Sequence, residues 1–130
     1  MGKESITAEQ QLYIEYTKLV VENSMRAQRG LILCHGGAIT AILMSGNKSL
    51  LPYALLFGLG AILAVICSAL GYWTNFHYMN SRGKGLINEP PEYFTKENEK
   101  GRHSHRWAVG VGIASVALFL VGLALVYHSL

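Results

Sequence analysis

The chain has no aspartate, and each of its eight acidic residues is a glutamate. None of these glutamates falls within 31–47, 49–79 or 107–130, and all three runs are free of Lys and Arg as well. A hydrolase buried in a membrane needs paired carboxylates, a Ser/His arrangement or a metal site. An ion-coupled transporter draws on inverted repeats, broken helices and midplane charges. The sequence offers neither set, and it has no Walker-type loop and no GxGxxG pattern, so it reads as a non-enzyme without cofactor or metal. Residues 1–29 also lack the apolar core and small-residue cleavage site of a secretory signal, and Ile6 breaks the myristoylation pattern. The two cysteines, Cys34 and Cys67, both fall in apolar runs, where they read as small packing residues and not as a disulfide.

Scarcity of charge defines the class. Only 15% of the 130 residues are charged, against roughly 25% in soluble domains. Two of the uncharged runs exceed the ~20 residues that cross a ~30 Å hydrocarbon layer, and 31–47 reaches the lower limit. The expected fold is all-α and integral to a membrane. A long N-terminal amphipathic helix continues into the first of three transmembrane helices, which join a homo-oligomeric bundle. The boundaries read as a cytoplasmic helix over 1–29, spans over 30–46, 50–79 and 105–128, and a cytoplasmic loop over 80–104. Lys48 is the one cation at the far end, so the positive-inside rule predicts a cytoplasmic N-terminus and an outer C-terminus in a bacterial inner membrane.

Local signals support these elements. Thr7 and Gln10 have capping-box spacing. Glu15, Lys18, Glu22, Arg26 and Arg29 recur at three and four residues, forming one polar stripe on a helix. If continuous from 8 to 45, that helix is roughly 57 Å long, well beyond the bilayer. Gly46-Asn47-Lys48-Ser49 is a turn and Pro52 opens the second helix, which makes a tight antiparallel pair. Tyr72, Trp73, Phe76 and Tyr78 read as interfacial aromatics. Ser104 is the expected cap of a third helix starting near His105. A short helix fits after Pro91. His103 and His105 read as solvated surface and not as metal ligands.

Small residues recur at packing intervals in all three spans: Gly37, Ala41 and Ser45; Gly60, Ala64 and Ser68; Gly110 and Ala114. Such stripes let helices approach closely. Three helices enclose little interior, so self-association is expected, with a tetramer as the default closed ring. His35 sits beside Gly36 and Gly37 in the first span. It reads as a neutral imidazole bonded to a carbonyl or a Ser68-type hydroxyl, as a pore-lining or proton-sensitive group, or as a metal ligand with Cys34. Asn23, Arg26, Gly30, Cys34 and Gly37 approach one helix face, with His35 flanking them, and form the pore-lining candidates. Arg26, Arg29, Arg102 and Arg106 form a basic mouth for an anion, either a lipid headgroup, a nucleotide or an oligonucleotide, with a regulatory protein as another expected partner. For Arg26 and Arg29 the alternative is anchoring of the helix at the inner headgroups.

The runs 23–43 (NSMRAQRGLILCHGGAITAIL) and 51–78 (LPYALLFGLGAILAVICSALGYWTNFHY), with Trp107 opening the third span, resemble a family of small bacterial three-span membrane proteins. The layout is also similar to the channel component of Hailong-type antiphage systems. That resemblance implies a homo-oligomeric channel, held closed by a cytoplasmic nucleotide-derived ligand, that depolarises the inner membrane on release. The other functions open to the sequence are a non-conducting membrane scaffold or subunit, and a holin-like lesion former.

Overall fold

A computed structural model describes residues 8–82 and 89–130. It is all-α: α1 spans Ala8–Met44, α2 Leu51–Arg82 and α3 Pro91–Ser129, with a single 3-10 turn at Lys48–Leu50. All three helices are long and apolar enough to cross a membrane. By length and composition this is a multi-pass membrane protein.

α1 is uninterrupted over 37 residues, including Gly30, Gly36 and Gly37. Thr7 lies outside the described residues, as do the side chains of Gln10 and Asn23. Two residues past the end of the helix stands Gly46, whose φ of 67° lies in the left-handed region open to glycine. Ser45 Oγ donates to Ile42 O at 2.7 Å and accepts from Asn47 N at 3.2 Å. Asn47 Oδ1 then accepts from Ser49 N at 3.0 Å and Ser49 Oγ at 2.7 Å, which closes the turn into α2.

α2 and α3 pair antiparallel along most of their length. Their facing residues recur at alternating intervals of three and four: 57, 60, 64, 67, 71, 74 and 78 on α2, and 94, 97, 101, 104, 108, 111, 115, 118 and 122 on α3. That period of 3.5 is the coiled-coil seam. A glycine on one helix repeatedly admits a bulky group from another. A Cβ on Gly122 would stand 2.7 Å from the Phe57 ring, one on Gly101 2.8 Å from Tyr78, and one on Gly112 3.3 Å from Cys67 Sγ. Glycine holds these positions because the partner occupies the space a side chain would need.

The third helix begins fourteen residues earlier than the sequence suggested, since it starts at Pro91 and not near His105. Pro90 supplies the extended N-cap and Pro91 the first turn. Ser104 is therefore mid-helix and half-buried, not a cap. The charged run after 95 looked like a loop because it is poor in apolar residues. It folds as helix because Phe94, Glu97, Gly101 and Ala108 keep the seam against α2, while the charges occupy the other faces.

Contacts along the seam fix the register with which the helices cross. Phe57 lies at Gly122, Ser115 at Gly60, Cys67 at Ala108, Tyr78 at Gly101 and His77 at Glu97. Gln28 of α1 reaches the Gly71 and Cys67 level. Trp107, Arg26 and Arg29 consequently stand near one height, with Trp73 about one helical turn closer to the charged end. From there to the Gly46 turn, α2 offers about twenty uncharged residues, roughly 30 Å, the thickness of a hydrocarbon layer. α3 has 39 residues, about 58 Å of helix, so its charged first third projects beyond that layer.

Candidate functional site

The most enclosed side chain of α1 is His35, which is fully buried where the three helices meet. α1 reaches this junction with Gln28, Leu31, His35, Ala38 and Ile42, again at intervals of three and four. His35 Nε2 lies 3.2 Å from both Ser115 O and Ser115 Oγ. A carbonyl only accepts, so Nε2 carries the proton and donates. Ser115 Oγ donates its own hydrogen bond to Gly60 O at 2.7 Å, so one hydroxyl ties all three helices. The imidazole lies edge-on to Phe119 and Phe57, with centroids 5.3 and 6.1 Å away. It sits directly on Gly60, where any Cβ would overlap the ring. His35 Nδ1 is buried with no hydrogen-bond partner among the described residues.

This arrangement separates His35 from the residues the sequence grouped with it. At 100° per residue, Arg26, Gly30 and Gly37 lie on the opposite side of α1, with Cys34 at that side's edge. All four are exposed, as are Leu33, Ala41 and Met44. A Cβ on Gly30, Gly36 or Gly37 would meet nothing within 4 Å. The imidazole turns inward because it has a polar partner there, on a helix 80 residues away. No sequence interval within α1 reveals that partner. The hydroxyl is that of Ser115 and not Ser68, whose Oγ returns to Ala64 O at 3.1 Å.

The small-residue stripes divide in the same way. Gly60 and Ala64 are buried in the seam and Ser68 half-buried beside it. Gly37, Ala41 and Ser45 of α1, and Gly110 and Ala114 of α3, face outward within the protomer. α3 turns Gly101, Ala108, Ser115 and Gly122 to its partner instead. Both cysteines are free; Cys34 is exposed, and Cys67 Sγ donates to Ala108 O at 3.2 Å. Among the described residues no cluster of three or more His, Cys, Asp or Glu could hold a metal ion.

A second polar centre lies in the projecting part of the hairpin and was not anticipated. Glu97 is buried against α2 and bonded to Lys100 Nζ at 2.8 Å and His77 Nδ1 at 2.7 Å, with Asn80 Nδ2 at 3.5 Å. Lys100 first, and His77 next, hold the Glu97 carboxyl down to about 2, against a smaller opposing effect of burial. The same pairing raises Lys100. The signal in the sequence was the seam itself, since Glu97 occupies the position between Phe94 and Gly101.

Arg26, Arg29, Arg102 and Arg106 are all exposed. Arg102 and Arg106 border an open hollow with Glu99 and His103 on α3. In comparisons with known proteins, no family model, curated protein or solved structure matches this chain.

Proposed function

We propose that the chain is the protomer of a homo-oligomeric gated ion channel or pore of a bacterial inner membrane, with the α1 helices lining the axis. One observation carries this reading. α1 is attached to the α2–α3 hairpin by one face, while its opposite face presents Arg26, Gly30, Cys34 and Gly37 to the outside of the protomer. Glycine there permits close approach of a second copy, and polar residues at the charged end suit a wetted mouth. The positive-inside rule puts that end in the cytoplasm.

On this reading the basic belt of Arg26, Arg29, Arg102 and Arg106 receives an anionic ligand that controls opening. The layout agrees with an effector that depolarises the membrane in antiphage defence. Purified protein in planar bilayers should give discrete current steps, and Arg26→Ala should change their ion selectivity. Silent bilayers with correctly assembled protein would remove the proposal.

Leu33 and Met44 share the outer face of α1 and are more than 70% exposed. They favour a second reading, a non-conducting membrane scaffold whose α1 face meets lipid or a partner helix. Absence of conductance in ordered, stoichiometric assemblies selects that alternative.

A further inference from the structure

The hollow on α3 is bordered by Glu99, Arg102, His103 and Arg106, on the side of the helix turned away from α2. Its position is specific. Trp107 follows at once, exposed, and opens the uncharged run to the C-terminal end of α3. Trp73 of α2 is also exposed and stands about one helical turn nearer the charged end, between the Cys67–Ala108 and Tyr78–Gly101 contacts. Two exposed tryptophans on different helices thus fall within about one turn of each other, and tryptophan concentrates where hydrocarbon meets headgroups.

The polar groups in the hollow are arranged as donors. Trp107 Nε1 donates to His103 Nε2 at 3.0 Å. His103 Nε2 is therefore an acceptor, and the ring's proton sits on Nδ1. Arg102 and Arg106 are one turn apart and present guanidinium groups suited to phosphate oxygens. Glu99 is the one acid, set against two arginines and the imidazole.

From this placement we infer that Arg102, His103 and Arg106 bind the phosphate of an anionic phospholipid headgroup, with Trp107 against its glycerol region. Size supports a lipid over a free nucleotide. The hollow measures about 170 Å³ and is open, below the roughly 300–1,000 Å³ that encloses a small-molecule ligand. It accommodates a headgroup whose tails lie along α3 in the hydrocarbon. The inference rests on the chain crossing a bilayer and treats half of the basic belt as a lipid site. It does not depend on conduction, so a silent channel recording leaves it standing.

Native mass spectrometry of the full-length protein in detergent tests it, with phosphatidylglycerol or phosphatidylcholine added in equal amount. Phosphatidylglycerol should be retained preferentially. Its retention should fall roughly thirtyfold in the Arg102→Gln/Arg106→Gln double variant, from one basic side chain's effect near an anionic surface taken twice. Glu99→Gln should raise retention, a change in the opposite direction that misfolding cannot imitate. Equal retention of the two lipids, or an unaffected double variant, would overturn the assignment. Displacement of phosphatidylglycerol by millimolar inorganic phosphate or AMP would transfer the site to a soluble phosphate and would overturn it equally.

Discussion

His35 and Ser115 hydrogen-bond α1 to α3, with the imidazole Nε2 3.2 Å from both oxygens of the serine. The serine hydroxyl continues to Gly60 O, so the bond couples α1 to the seam of the α2–α3 hairpin. A polar contact at this depth holds α1 in place where apolar contact with lipid tails offers no preference between helix and bilayer.

Removing either partner should loosen α1 without melting the hairpin. Ser115→Ala leaves His35 with only the carbonyl and should cost about 1 kcal/mol. His35→Ala also empties the space between Phe57 and Phe119 and should cost about 2–4 kcal/mol. Denaturation in mixed detergent measures both. The double variant should fall short of the sum by at least ~0.5 kcal/mol, because the two changes remove one interaction.

Glycine substitutions should divide sharply by position. Gly60→Ala puts a methyl into the His35 ring, and Gly122→Ala puts one 2.7 Å from Phe57. Each should destabilise the protomer by about 1–3 kcal/mol. Gly30→Ala and Gly37→Ala meet open space within the protomer and should leave its unfolding unchanged or slightly stabilised, as glycine is a poor helix former. Under the proposed assembly these two should instead weaken oligomers, as seen by native mass spectrometry.

Acid should attack the projecting part of the hairpin. Glu97 titrates near 2 when folded because Lys100 and His77 bond its carboxylate. Its folded value lies below the usual carboxylate value of 4.5, so its contribution is complete above that value. As pH falls from there towards 2 the contribution is lost. Glu97→Gln should lower stability at pH 7 and flatten the dependence between pH 5 and 3, read from the unfolding midpoint in detergent at each pH.

The spans, the Gly46 turn and the continuity of α1 were legible in the sequence because charge distribution and the absence of breakers determine them locally. The start of α3 was not. Its first turns are polar, and their helical register shows only against α2, where Glu97 meets His77 and Gly101 meets Tyr78. His35 illustrates the same limit. Its need for a partner follows from the residue type, whereas the identity of Ser115 depends on the height at which two distant helices pass. Gly110 and Ala114 read as packing residues from their spacing of four, whereas α3 packs through Gly101, Ala108 and Ser115, which recur at seven and which only the seam singles out.

The central claim is that the outer face of α1 surrounds a conducting axis. Its most direct test is current through planar bilayers containing Gly37→Cys protein in a Cys34→Ala background, before and after a charged thiol reagent. The account predicts current steps that the reagent blocks, and steps that persist when the cysteine is placed instead at Leu59, exposed on α2. Current that the reagent leaves unchanged at position 37, or no current at all, would contradict it.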